Sequence, residues 1–265
     1  MPPLPDLSTA TVLITGGTSG VGRALAERFA KSGSRVFVTS RRPPPDPSTV
    51  KLDNGGTITT IQSDVSKSSE RESLYEYVRE HLPRLNILIN NAGIARPVPM
   101  SQDGPGISWT ERQLEIDTVV SGPIHLTSLL VPLMLENETE GQVINVTSGT
   151  AFFPNPSAPL YAACKAAARS YTITLRFALR ETKIGVTEII PPMIETGLDG
   201  SKGGIQLSDF MDGIWPKVLQ GDEEVVYGIT DSDLVKEARD IQDKCFGQMK
   251  QYLMDIDHYG KTEAK

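Results

Sequence analysis

The stretch Thr15-Gly16-Gly17-Thr18-Ser19-Gly20-Val21-Gly22 decides how the rest of this chain reads. It lies between a β-branched run, Thr11–Thr15, and a helical pattern over Val21–Lys31, so its glycines fall at a strand-to-helix turn. Glycine permits a tight turn and lets backbone N–H groups come close to a ligand. The helix that opens behind the turn offers unpaired N–H groups and the positive end of its dipole, which suits a pyrophosphate. Many glycine clusters are plain turns; here the strand before and the helix after select nucleotide binding.

Outward from that turn, strand and helix patterns alternate. Further β-branched runs occur at Arg35–Thr39, Thr57–Ile61, Asn86–Asn90, Gln142–Val146 and Gly185–Ile190, with a weaker one at Glu224–Tyr227. Continuous apolar runs of this kind suit strands buried on both faces. Helical patterns fill the gaps at Ser69–His81, Thr110–Leu135 and Tyr161–Glu181. The alternation predicts an α/β fold: a doubly wound parallel sheet, Rossmann-like, of about seven strands with helices on both faces. The 265 residues suit one dinucleotide-binding and catalytic domain over 1–265. Within it, Gly197–Gly204 followed by Phe210, Ile214, Trp215 and Val218 at helical spacing predicts a hinge and lid over about 197–220. A C-terminal helix over about 232–254 carries Leu234, Ala238, Ile241, Cys245, Met249 and Leu253 on one face. It is expected to pack on the body or on a second subunit, and no chemistry is assigned to it.

Composition narrows the class. Net charge is −7, which disfavours nucleic acid or an anionic membrane as a main partner. Two cysteines, Cys164 and Cys245, lack metal-ligand spacing and are too few for a disulfide framework. No metal is expected, and a reducing, cytoplasmic setting is. The start, Met1-Pro2-Pro3-Leu4, has no basic segment followed by an apolar one. The richest apolar stretch, Ile124–Leu135, is interrupted by His125, Thr127, Ser128 and Pro132, so no membrane span is expected.

The second strand ends in Ser40-Arg41-Arg42. An acid at that point would take a ribose 2′-hydroxyl; two guanidiniums, with Ser40 and Ser19, are suited to a 2′-phosphate. The expected cofactor is therefore NADP(H), with NADPH preferred over NADH. The fourth strand closes in Asn90-Asn91-Ala92-Gly93, whose small residues let the backbone pass close to a cofactor ribose. Tyr161 and Lys165 are four apart and share a helix face. An ammonium beside a phenol favours the phenolate and brings its pKa towards neutrality, which makes Tyr161 a proton donor or acceptor. Ser148, just past the fifth strand, can hydrogen-bond the same substrate oxygen.

Taken together, the start Thr15-Gly16 through Gly20 and Gly22, the Asn-Asn-Ala-Gly segment, Ser148 and Tyr161-x-x-x-Lys165 resemble the classical short-chain dehydrogenase/reductase family from about Thr11 to Gly228. Glu188-Ile189-Ile190-Pro191-Pro192 and Gly221-Asp222-Glu223-Glu224-Val225 look like its DltE-type branch. The resemblance implies Ser148, Tyr161 and Lys165 as catalytic residues, with Tyr161 and Lys165 also at the cofactor. It implies that Gly16, Thr18, Ser19, Gly20, Val21 and Gly22 hold phosphate, and Ser40, Arg41 and Arg42 the 2′-phosphate. Asp64 and Val65 would meet adenine, and Asn91, Ala92 and Gly93 the ribose. Pro191, Ile194 and Thr196 would meet the carboxamide, and Lys165 the ribose hydroxyls. A homodimer or homotetramer is implied in the same way.

Two positions depart from the family pattern. Pro192 stands where the family has Gly, which removes an N–H and stiffens the turn. Val119 stands where the family has an Asn that anchors a water between the Lys and solvent. Valine cannot hold that water, so proton relay is expected to be slower or to take another route. Asp117 or Thr118 could substitute only with a shift of the helix.

The loop Gly149–Pro156, with Phe152 and Phe153, joins Ile94, Pro97, Met193 and Trp215 in an apolar rim. A small apolar carbonyl compound or alcohol is the expected substrate. An imine reductase or ring-closing enzyme of secondary metabolism, and a non-catalytic NADPH sensor, are the rival readings.

Overall fold

The structure is a computed structural model describing residues 4–43, 48–53, 56–96, 107–136, 140–198 and 203–255. These fall into two compact units, one up to Tyr227 and one from Gly228 onward. The first is built on strands β1 (Thr11–Ile14), β2 (Arg35–Ser40), β3 (Thr49–Lys51), β4 (Thr57–Gln62), β5 (Leu85–Asn90), β6 (Gly141–Val146), β7 (Ile184–Ile190) and β8 (Glu224–Val226). Their order in the sheet is β3-β4-β2-β1-β5-β6-β7-β8. All neighbours pair in parallel except β3 with β4. The doubly wound sheet expected from the alternation is therefore present, with one antiparallel edge strand in addition. That strand is three residues long, its residues are half-buried or exposed, and no buried run announces it.

Side chains alternate between two cores, as the strand period requires. Val12, Ile14, Ile87 and Ile89 face one layer with α1 (Gly20–Lys31) and α6 (Leu207–Gln220). Leu13, Leu88 and Val143 face the other, with α2 (Ser68–His81) and α4 (Gly122–Glu136). The chain runs β1, β2, β4 to one side and then crosses to β5 on the other side of β1. This reversal opens a crevice at the C-terminal ends of β1 and β5, where open α/β sheets bind ligands.

The helix expected to act as a lid turns its apolar face inward. Phe210, Ile214 and Val218 on α6 are fully buried, and Trp215 meets Phe29 of α1 edge-on at 5.1 Å between ring centroids. Full burial of such side chains stabilises by roughly 1.5–3 kcal/mol each, so the apolar face belongs to the core. Part of the expected hinge, 199–202, lies outside the described residues, as does Pro97.

The expected continuous helix over Thr110–Leu135 is also divided. It runs as α3 (Trp109–Ile116), a wide π turn over Asp117–Ser121, and α4. Ser108 starts α3 with a capping box to Glu111. Pro123 at the start of α4 has no N–H, so the ladder is interrupted there. Trp109–Glu136 is long and apolar enough to cross a membrane, yet Leu126, Leu130 and Met134 point into the second core. Helix α5 (Pro159–Ala178) starts on Pro159 in its first turn, a position where proline costs no hydrogen bond. In the second unit, α7 (Asp233–Asp255) leaves Leu234, Ile241, Cys245 and Met249 exposed.

Candidate active site

The glycine turn has the geometry of a cradle. Gly16 and Gly20 adopt positive φ, +64° and +54°. A Cβ on Gly16 would lie 2.9 Å from Ala92 Cα, and one on Gly22 would lie 2.3 Å from Asn91 Nδ2 and 2.6 Å from the Gly16 carbonyl oxygen. The turn is thus held against the end of β5 with no room for a side chain. Asn91 fastens it: its Nδ2 donates to the Thr15 and Gly16 carbonyls at 3.0 and 3.1 Å. Thr15 Oγ1 accepts from the backbone N–H groups of Asn91 and Ala92 at 3.0 and 3.1 Å. From the other side, Gly16 N–H donates to Thr39 Oγ1 at 3.2 Å, which brings the end of β2 alongside.

The N-terminus of α1 is open for an anion. Its N-cap Ser19 makes no side-chain capping bond, and its first turn contains no acid. Thr18 and Ser19 are exposed, and Gly20 faces Thr196 at 3.4 Å from a built Cβ to the threonine Cβ. Thr196, remote in sequence, is therefore beside the cradle. Arg41 and Arg42 are exposed beyond Ser40, whose Oγ accepts from Arg42 N–H at 3.1 Å. Among the described residues neither arginine has an ion-pair partner. A cradle without space for Cβ atoms, an uncapped helix start and two unpaired guanidiniums fit a phosphate-bearing dinucleotide.

Asp64 is engaged locally: its Oδ1 accepts from Ser66 N–H and Oγ at 3.1 and 2.7 Å. The N-cap of α2 is Lys67, without a side-chain bond. Glu70 braces the start instead, accepting from Asp64 N–H and Lys67 Nζ.

Past β6, Ser148 Oγ accepts from Thr150 N–H at 3.2 Å and is half-buried. Gly149 N–H donates to the Pro191 carbonyl at 2.8 Å, which ties the serine loop to the end of β7. Beyond β7, Ile194 bridges to Ile205, and Glu195 fastens the return with Oε1 accepting from Gly203 N–H at 2.7 Å. No sequence pattern pointed to Glu195 in this role.

On α5, Lys165 is buried and its Nζ donates to the Val146 carbonyl at 2.8 Å. The Nζ lies 5.6 Å from the centre of the half-buried Tyr161 ring. Desolvation pulls the Lys165 ammonium down to about 8, against the partial support of Cys164 and Glu188. Cys164 is buried next to it; burial, aided by Glu115, pushes its thiol up to about 11, so it is no nucleophile at neutral pH.

A pocket of about 340 Å³, including its open mouth, is lined by Lys165, Asn90, Asn145, Val119, Val120 and Tyr171, among others. Val119 is on the wall beside the lysine, where the family asparagine would be. Asp117 Oδ1 accepts from Gln113 and Ser121, and Thr118 donates to the Leu114 carbonyl. Both are engaged within their own helical segment, and neither lines this pocket. Below Lys165, Asn90 Nδ2 donates to Asn145 Oδ1 at 2.9 Å and Thr127 Oγ1 at 3.0 Å. This buried amide pair fixes the floor of the site. Asn145 was not foreseen, because a lone Asn in an apolar run carries no motif.

The family model described as short chain dehydrogenase matches residues 10–204. The uncharacterized oxidoreductase DltE of Bacillus subtilis is 35% identical over 225 residues, covering 83% of each chain. A short-chain dehydrogenase from Sphingobium yanoikuyae in complex with NADPH superposes with a TM-score of 0.74 at 21% identity, covering 97% of this chain and 98% of that one. One from Burkholderia phymatum in complex with NAD does so at 0.73 and 18%, covering 90% and 96%. With the glycine cradle and the serine loop beyond the C-terminal ends of β1, β5 and β6, and the tyrosine–lysine pair on α5, this chain belongs to the short-chain dehydrogenase/reductase family of oxidoreductases and is DltE-like within it.

Proposed function

We propose that the chain is an NADP(H)-dependent enzyme that interconverts a hydrophobic carbonyl compound and its alcohol. The observation that carries this reading is Lys165: a buried ammonium held at 2.8 Å by the Val146 carbonyl, one helical turn from the Tyr161 ring. Burying a charge is costly, and ionisable groups perturbed in this way cluster at functional sites.

Gly16, Thr18, Ser19, Gly20, Val21 and Gly22 would hold the pyrophosphate at the start of α1. Ser40, Arg41 and Arg42 would take a 2′-phosphate; NAD-bound relatives of the fold make this the point most in need of test. Asp64 and Val65 would meet the adenine, Asn91, Ala92 and Gly93 the ribose, and Pro191, Ile194 and Thr196 the carboxamide. When bound, the cofactor supplies the hydride. Tyr161 gives its phenolic proton to the carbonyl oxygen in reduction and takes it back in oxidation. The Lys165 ammonium lowers the cost of the phenolate. Ser148 Oγ, which accepts from Thr150, retains its own hydrogen to donate to the substrate oxygen. Phe152 and Phe153 are half-buried while Met193 and Leu198 are exposed, which supports an apolar substrate. The unpaired cysteines support a reducing compartment, taken here as the cytoplasm, and a homodimer or homotetramer is part of the reading.

The test is NADPH consumption against apolar ketones, aldehydes and cyclic imines, with NADPH binding followed by fluorescence. Tyr161→Phe is expected to lower turnover by roughly 10²–10⁴-fold, the range for a positioned acid–base group, with NADPH binding retained. Consumption with imines alone would move the reading to imine reduction. Binding with no consumption on any substrate would favour a sensor.

A further inference from the structure

One turn beyond Lys165 on α5, Arg169 is 3% exposed. Its Nη1 donates to Glu188 Oε2 of β7 at 2.5 Å and to Glu224 Oε1 of β8 at 2.8 Å. Glu188 is fully buried, and its other oxygen, Oε1, accepts from Thr147 Oγ1 at 2.6 Å. The guanidinium carbon lies over the Phe152 ring, 4.4 Å from its centre. Phe152 and Thr147 bracket Ser148, and Phe152 N–H closes the turn on the Gly149 carbonyl at 2.9 Å. A guanidinium is the group suited to this place, since it can meet carboxylates at its edge and an aromatic ring on its face. Two carboxylates on one buried arginine are not an economical way to stabilise a core, because hydrophobic residues of like volume commonly do as well. The cluster is better explained by what it positions.

We propose that Arg169 is a positioning residue for the substrate side of the site: clamped by Glu188 and Glu224, it holds Phe152, and with Thr147 it sets the segment that carries Ser148. This rests on the carbonyl-reduction reading above and deepens it by naming what shapes the substrate pocket. The cofactor cradle makes no part of this cluster, so substrate and cofactor affinities should separate. The charged groups facing Glu188 are Arg169 and Arg176 from α5 and Glu224 from β8, with Lys165 within electrostatic reach. Burial raises the Glu188 carboxyl to about 7, against Arg169 and Thr147, while Glu224 pushes the same way as burial. The folded chain then holds the proton more tightly than the unfolded one between 4.5 and about 7, so folding stability falls as pH rises through that window.

The experiment compares wild type, Arg169→Lys, Phe152→Leu and the double variant, with Glu188→Gln alongside. Each single variant is expected to raise the KM for a bulky carbonyl substrate about tenfold, with kcat within about threefold and NADPH affinity within about twofold. The double variant should be no worse than the poorer single one, because both break the same contact. Additive losses, an unchanged KM, or NADPH affinity falling in parallel with KM would overturn the assignment. Urea denaturation of the same proteins needs no substrate. It should show the two substitutions coupled, and Glu188→Gln should flatten the decline in stability from pH 5 to 7; independent effects and an unaltered slope count against the clamp. If none of the carbonyl compounds makes wild type consume NADPH, the catalytic reading falls on its own, and denaturation still judges the clamp.

Discussion

The two flanks of this sheet hold their parts of the site by different means. On the β1–β2–β5 side the cradle is made of backbone: glycines too close to Ala92 and Asn91 for a Cβ, with N–H groups directed by the start of α1. On the β6–β7–β8 side the site is made of buried side chains: Lys165 on the Val146 carbonyl, Asn145 accepting from Asn90 at the end of neighbouring β5, and Arg169 between two glutamates. Backbone construction needs small residues at fixed spacing in one short segment. Side-chain construction needs residues from several elements, each unremarkable alone.

The comparison can be broken first at the cradle. Gly22→Ala forces a methyl against Asn91 and the Gly16 carbonyl, an overpacking cost of roughly 1–3 kcal/mol. NADPH binding is expected to weaken on the order of tens-fold by fluorescence titration, with a lower melting temperature. Equal NADPH affinity would mean that the turn yields and does not define the site.

Arg41→Ala or Arg42→Ala should act next. Each is expected to weaken NADPH about tenfold while leaving NADH unchanged, since an exposed charge-assisted bond to a 2′-phosphate is all that is lost. Loss of both cofactors alike, or of neither, would remove the preference for NADP(H).

A smaller effect sharpens the side-chain flank. As pH rises through about 8 the folded chain loses the Lys165 charge, and NADPH affinity should fall roughly two- to fivefold between pH 7 and 9. Over 8 to 10.5 the unfolded chain binds the proton that the folded one has released, so this lysine adds stability as pH rises. A flat binding profile, with Lys165→Met as reference, would show that the ammonium does not assist the cofactor.

The smallest effect is expected at Val119. Val119→Asn should raise turnover about twofold or shift its pH profile by restoring a polar group beside Lys165. No change in either would show that proton relay in this chain never used that wall.

Much of the fold was legible before any coordinates, because buried parallel strands read as apolar runs and helices as 3.6-residue periods. Seven of the eight strands, the seventh only as a weak run at Glu224–Tyr227, and the glycine turn were visible in that way. The inward packing of Phe210 and Trp215 was not legible, because a helix with one apolar face looks the same whether that face covers a ligand or a core. The π turn at Asp117–Ser121 escaped because its hydrogen bonds differ by one residue from those of an ordinary helix. Glu195, Asn145 and Arg169 escaped because their partners are remote or belong to no pattern.

The sequence alone determined the family and, apart from β3 and the break at Asp117–Ser121, the order of strands and helices, and it marked the glycine turn and the Tyr161–Lys165 spacing as candidates. These depend on local spacing, and the backbone enforces local spacing. The tertiary structure alone decided that Arg169 meets Glu188 and Glu224, that α6 is core, and that Thr196 stands beside Gly20. Such contacts join segments tens of residues apart, and which of them form is settled only when the whole sheet closes its two cores.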